Sequence, residues 1–186
     1  MKATKQLKEE HQAVLLLLSI LRKIREKIGR KEEIPSQHLE EILEFFKVFV
    51  DKCHHKKEEG ILFPMITGAE IPEEKGLIGD LLRDHAILHE YVKVIDESFT
   101  GFKAGDQRNV ERLMEAAKSY ITLLTEHISK EDDILFELAD QYLLREADER
   151  MMEQFEYIEI NQLGSGKHKQ FERMLERLEK IYLKKI

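Results

Sequence analysis

Two stretches of the chain repeat one phrase built from residues that can do chemistry. Residues 54–64 read HHKKEEGILFP and residues 127–137 read HISKEDDILFE. The shared frame is His-x-x-Lys-Glu-acid-x-Ile-Leu-Phe, and every matched position is offset by 73 (127 − 54). On a helix, residues four apart lie on one face, so His54 with Glu58 and His127 with Glu131 each present an imidazole nitrogen beside a carboxylate oxygen. That donor set suits iron, manganese or zinc. Further histidines stand at 11, 38, 55, 85, 89 and 168, with His85 and His89 again four apart.

Helices must position these groups. Apolar residues recur at three- and four-residue spacing through long stretches, and no stretch alternates as a strand. The spacing predicts helices over roughly 3–29, 37–66, 73–100 and 107–141, then a segment near 144–161 and a last helix near 167–184. Asp106 reads as an N-cap, and Pro64 as a point where the second helix ends or kinks. Four long helices with short loops predict an all-α fold, an antiparallel up-and-down four-helix bundle with additional C-terminal helices. The expected division is a metal-binding bundle over 1–141 and a helical extension over 142–186 that packs on it.

A residue's direction on a helix advances by about 100° per position, so each histidine can be tested against its helix's apolar stripe. His54 falls roughly 75° from the stripe centre and His55 roughly opposite it, which turns His54 inward and His55 toward water. On the fourth helix His127 lies about 60° from the centre, Glu131 about 20° and Asp132 roughly 80°, so Asp132 stays a candidate beside Glu131. His85 and His89 flank the core side of the third helix, and His11 lies about 50° off the first stripe. All four helices thus send histidine inward, and two add a glutamate one turn later.

A buried carboxylate without a partner is costly, and no inward lysine or arginine pairs with Glu58 or Glu131. A pair of iron ions, with zinc or manganese as other fits, would neutralise both acids. His11, His54, Glu58, His85, His89, His127 and Glu131 are the candidate ligands. The repeated phrase then supplies half of a site from each of two antiparallel helices. Other readings stay plain: His38 and His55 as solvated residues, His168 as a packing or capping residue, Cys53 as a small buried apolar residue. Lys57 and Lys130 read as surface residues or as groups standing behind the ligands. The Leu-Phe endings read as core packing below the site.

This set, His11, His54-x-x-x-Glu58, His85-x-x-x-His89 and His127-x-x-x-Glu131, resembles the hemerythrin-like (HHE cation-binding) family over about residues 5–140. The resemblance implies a four-helix bundle enclosing a non-heme di-iron centre. In it His11, His54, His85, His89 and His127 would give nitrogen, and Glu58 and the acid of the fourth helix would bridge. Oxygen-carrying hemerythrins place an Asp five residues after the last histidine, where this chain has Asp132, while Glu131 holds the spot used by the broader group. The repeat and the facing angle favour Glu131. A ferritin-like reading fails because no Glu stands three residues before any histidine.

The 186 residues carry 42% hydrophobic and 36% charged residues and a formal net charge of −7, which argues against a nucleic-acid partner. The polar start and the short run AVLLLLSIL predict neither a signal peptide nor a membrane span. One cysteine, Cys53, fits a reducing cytoplasm. The expected function is a non-heme di-iron binding protein for reversible O2 binding, sensing or iron handling, with a small diatomic such as O2 or NO as its ligand. The alternative is a di-iron enzyme acting on nitric oxide or peroxide, or serving iron-centre repair. The repair relatives carry an N-terminal segment that this reading does not expect here, so binding is preferred to catalysis. The C-terminal helices are the expected face for a protein partner or homodimer.

Overall fold

The computed structural model describes residues 1–71, 76–164 and 166–184, and among these every regular element is helical. Helix α1 spans Lys2–Gly29. Helix α2 is a composite: α-helical over Ser36–Phe45, π-helical over Phe46–His54, α-helical over His55–Lys57, π-helical over Glu58–Leu62 and α-helical over Phe63–Gly68. Helix α3 covers Leu77–Lys103. Helix α4 runs over Gln107–Lys130, passes through a π segment at Glu131–Leu135 and ends with Phe136–Tyr142. Helices α5 and α6 cover Arg145–Gln162 and Lys167–Tyr182. The first residues of the helix predicted from 73 lie outside the described residues. Asp106 caps α4 as its type predicts, its side chain accepting from the Arg108 N–H at 3.0 Å.

Pro64 does not end α2. It sits in the first turn of the α-helical segment that follows the second π turn, where its missing N–H leaves least unsatisfied. Proline does not cause that turn, because the matching segment of α4 is followed by Glu137 instead.

Two apolar clusters hold the helices together. One joins Val14–Ile24 of α1, Leu39–Val50 of α2, Leu88–Phe99 of α3, Leu113–Ile128 of α4 and Phe171–Leu178 of α6. The other joins Ala3 and Leu7, Ile61–Ile66, Ile78 and Leu81, Leu135–Ala139 and, from α5, Met151, Phe155 and Ile158. Residues later in sequence than the polar layer enter the first cluster from α1 and α3, and earlier residues enter it from α2 and α4. Successive helices therefore pass the layer in alternating directions. Each fully buried Leu, Ile or Phe contributes about 1.5–3 kcal/mol, so these clusters dominate the stability of the fold.

The two C-terminal helices are part of this packing. The stripe of α6 that sequence reading offered to a partner, Phe171, Met174, Leu175 and Leu178, is buried against the rest of the chain. Helix α5 also caps α1: Asp148 accepts the backbone N–H groups of Lys2 and Ala3, both at 2.9 Å, which matches a carboxylate to the positive end of the helix. No helix among the described residues is long and apolar enough to cross a membrane.

Candidate metal centre

Between the two apolar clusters lies a layer of buried polar side chains: His11, His54, His55, Glu58, His85, His127 and Glu131, each at most 4% exposed. Two groups within it converge closely enough to hold a cation, His11 with His54, Glu58 and Glu131, and His55 with Glu58, His85 and His127.

The repeated phrase explains almost every contact in the layer, and it does so twice. Its histidine meets the inward histidine of a neighbouring helix, His11 Nε2 to His54 Nε2 at 2.9 Å and His85 Nε2 to His127 Nε2 at 2.9 Å. Its glutamate, Glu58 or Glu131, is fully buried between the pairs. The acid that follows reaches across to the other pair. Asp132 accepts from His11 Nδ1 at 2.8 Å, and Glu59 accepts from His85 Nδ1 at 2.6 Å. The phrase's phenylalanine stacks on that same ring, Phe136 on His11 at 5.5 Å and Phe63 on His85 at 5.8 Å between centroids. Its lysine binds the acid that precedes the neighbouring histidine, Lys57 to Glu10 at 2.5 Å and Lys130 to Asp84 at 2.8 Å. That acid in turn faces Nδ1 of the phrase's own histidine, Glu10 to His54 at 2.8 Å and Asp84 to His127 at 3.5 Å.

Both glutamates also open a π segment, Glu58–Leu62 and Glu131–Leu135. The offset is again 73 at each end (131 − 58 and 135 − 62). The repeat therefore specifies a wide i→i+5 turn as well as side chains. π turns inside α-helices commonly accompany functional sites.

The tautomers decide what the layer can hold. An ionised carboxylate only accepts hydrogen bonds, so Nδ1 of His11, His54 and His85 carries the proton. Each neutral ring then presents a lone pair at Nε2. Two lone pairs 2.9 Å apart repel unless a proton or a cation lies between them. The carboxylates make the same demand. All four oxygens of Glu58 and Glu131, together with His55 Nε2, are buried with no hydrogen-bond partner. Leaving an ionised group buried and uncompensated costs several kcal/mol, far more than the ~1 kcal/mol of one ordinary hydrogen bond. The donor chemistry of the layer fits cations.

Protonation answers the same need in the metal-free protein. Burial alone would lower His11, but the carboxylates of Asp132, Glu131 and Glu58 outweigh it and hold the ring well above its ordinary value. His127 is raised against its own burial, chiefly by Glu131. Burial would raise Glu131, yet His127 and His11 hold it well below the usual range. His55 is pushed well below its ordinary value, first by complete burial and then by the charges of His85, His54 and His127, so it stays neutral. Glu10 is held at about 2 although burial opposes it, because His54 and Lys57 both bond to it.

Two positions differ from the sequence reading. His55, expected toward water, is 4% exposed and stacks on His85 with centroids 3.8 Å apart. The nine-residue π segment before it, Phe46–His54, holds more residues per turn than an α-helix, so counting by 100° from residues 39–50 misplaces everything after it. His89, expected on the core side, has a side chain 66% exposed and bonds Asp51 at 3.1 Å, outside both groups. The buried stripe of α3 is Ile78, Leu81, His85, Leu88, Val92, Ile95 and Phe99, a strict alternation of three and four, and His89 lies about 80° from its centre. A cleft of about 470 Å³ lined by Asp51, Glu59, His89 and Glu90 leads from that surface to His55 and His85.

The remaining polar residues fall into place. Asp132 stands behind His11 while Glu131 lies inside the layer. Lys57 is fully buried rather than at the surface, and it serves Glu10 rather than Glu58. His38 is half-buried and bonds the Tyr182 hydroxyl at 2.6 Å. His168 packs edge-on to Phe49. Burial pushes the Cys53 thiol up to about 12, so it stays protonated and apolar in character. Glu10, Asp84 and Glu59, which stand behind the histidines, are residues that sequence reading missed; the available signal was an acid immediately before His11 and before His85 and, for Glu59, the acid that matches Asp132 in the repeat.

A model of the hemerythrin HHE cation binding domain matches residues 2–139. No curated protein and no solved structure matches the chain.

Proposed function

From the premise that this chain belongs to the hemerythrin HHE cation-binding domain family, we propose that it is a non-heme di-iron protein that binds O2 reversibly, as a carrier or sensor. The scaffold in this reading is an antiparallel up-and-down four-helix bundle over residues 1–141, with residues 142–186 as its extension.

The observation that carries the proposal is the pair of close Nε2 contacts, His11 against His54 and His85 against His127, with the carboxylates of Glu58 and Glu131, which have no hydrogen-bond partner, between them. One iron would be held by His11, His54, Glu58 and Glu131, and the other by His55, His85, His127 and Glu58. Imidazole and carboxylate donors suit iron in the oxidation states that O2 chemistry needs. Bound iron would supply the electrons that hold a diatomic ligand.

The protein's own part is to orient and to exclude. Asp132, Glu10 and Glu59 fix the ring tautomers, so that each Nε2 lone pair points into the layer. Phe136 and Phe63 cover His11 and His85, and the clusters on either side keep bulk water from the layer except along the cleft that reaches His55 and His85. A dry site favours release of the ligand unchanged over onward proton-coupled chemistry. His89, expected as a ligand from the family pattern, is replaced in this proposal by His55. The lone, buried Cys53 suits a reducing compartment such as the cytoplasm.

The test is anaerobic loading with iron(II), metal counting, then admission and removal of O2 while the visible spectrum is recorded. Two irons per chain and an absorption that appears with O2 and disappears on its removal are expected. Irreversible oxidation, or turnover of nitric oxide or peroxide, would overturn the carrier reading in favour of an enzyme.

A further inference from the structure

The two halves of the centre follow one plan but differ behind the ligands. In the second half Lys130 bonds only Asp84 among the described residues, and its side chain is 39% exposed. In the first half the equivalent Lys57 is fully buried, and its ammonium lies between two carboxylates, Glu10 at 2.5 Å and Glu159 at 2.6 Å. Glu159 belongs to α5, outside the span matched by the family model. The same helix lays Phe155 under the Lys57 ammonium, 5.5 Å from the ring centroid, and the Gln6 amide donates to Glu159. An unbroken chain of charge-assisted bonds thus runs from α5 to a ligand: Glu159 to Lys57, Lys57 to Glu10, and Glu10 to His54 Nδ1. No counterpart of Glu159 stands behind Lys130 among its described ion pairs.

We infer that Glu159 is a positioning residue for the His11–His54 cation position, and that docking of α5 and occupancy of that position reinforce each other. The inference rests on the reading of the layer as a cation site. A fully buried ammonium needs its charge matched on every open side. With Glu159 present, Lys57 shares itself between two carboxylates and leaves Glu10 free to hold His54 with its second oxygen. With Glu159 neutral, Lys57 draws on Glu10 alone, and Glu10 competes for the ammonium at the expense of the ring. His54 then loses the partner that fixes its tautomer and supports its basicity. The influence is reciprocal: whatever cation binding gains from a docked α5, α5 gains in docking from a bound cation. The C-terminal helices are in this way a control on the affinity of one cation position.

The test uses the full chain and cobalt(II) as the probe, with a chelator competitor that resolves two affinities. Wild type binding two cobalt ions is the precondition; failure here sinks the cation reading itself. Given two, Glu159→Gln is expected to weaken one position by roughly tenfold and leave the other unchanged, the low end of what outer partners of metal ligands contribute. Glu156→Gln, on the exposed face of the same helix, is expected to change neither. In zinc-loaded protein the ¹⁵N resonance of the His54 ring should move in Glu159→Gln, and the His127 ring should not. Cobalt should slow amide hydrogen exchange in 145–162 of wild type, and Glu159→Gln should lose that slowing. Unchanged affinity in Glu159→Gln, or equal weakening of both positions with no movement of the His54 resonance, would overturn the inference.

Discussion

Glu58 shows how one side chain can be unfavourable to the fold and required by the site. Its two oxygens are fully buried without a hydrogen-bond partner, and it belongs to both cation groups. Glu58→Gln removes a buried charge, so the metal-free variant should be at least as stable as metal-free wild type. The added stability from cations should fall, by about 2.7 kcal/mol for each position lost at a free cation concentration one hundred times Kd. Thermal unfolding with and without metal separates the two effects. The histidines give a second contrast. His55→Ala should lower the number of cations bound per chain, and His89→Ala should leave it unchanged, as read by metal analysis after gel filtration. Equal losses in the two variants would restore His89 as the ligand. The sign of the pH dependence also changes with loading. His11 is raised, so its contribution to the metal-free fold is complete below its ordinary 6.5 and is lost as pH rises through the raised value. Glu131 is lowered, so its contribution is complete above 4.5 and is lost as pH falls through the depressed value. The contribution of the pair is therefore largest between these ordinary values. Cations must displace the protons, so the loaded protein should instead gain stability as pH rises from 6 to 8. Melting curves across pH, with chelator and with cation, should show opposite slopes above 6.5.

At the scale of elements, the outcome turned on where helical counting holds. Helices α1 and α3 are regular over their buried stripes, and α4 is regular up to Lys130. Their inward histidines His11, His85 and His127 were legible, and so was the Asp106 cap. His54 and Glu58 were legible because they are four apart. His55 was not, because Phe46–His54 departs from the α period and composition carries no plain mark of a π turn. The second and third π segments did leave a mark, the repeated phrase itself, whose acid and phenylalanine make sense only once both wide turns are in place. Gly60 lies in one of them, exposed, and a Cβ there would meet nothing within 4 Å. Its backbone is not in the left-handed region, so flexibility is a cost with no conformational return. Gly60→Ala should stabilise the protein by about 0.5–1 kcal/mol without changing cation stoichiometry. Loss of cations in that variant would show that the turn needs glycine's freedom in the metal-bound state.

At the scale of the whole molecule, two related halves are unequal because the C-terminal helices press on only one of them. The apolar pattern of α6 was readable as a helix face, but which surface would cover it was not, since a partner and the chain's own core make the same demand on a sequence. The docking of α5 was less legible still. Its buried residues Met151, Phe155 and Ile158 are few, and its polar anchors Asp148 and Glu159 act over separations of about 100 residues or more. Asp148 offers the cleanest measure of how firmly α5 is held. It accepts two N–H groups at the start of α1 that no helical carbonyl can reach. Asp148→Ala should cost about 1 kcal/mol, within the range found for lost N-caps, and lower Tm by roughly 2–4 °C in a chain of this size. Glu149→Ala, which removes only an exposed pairing with Arg145, should shift Tm by much less. Because α5 contributes to the same apolar cluster as α1, α2 and α4, the Asp148→Ala transition should stay single, with amide protection falling together in Met151–Ile158 and in Leu135–Ala139. Protection lost from α5 alone would mean that the extension unfolds as a unit of its own, able to leave the centre without disturbing the helices that build it.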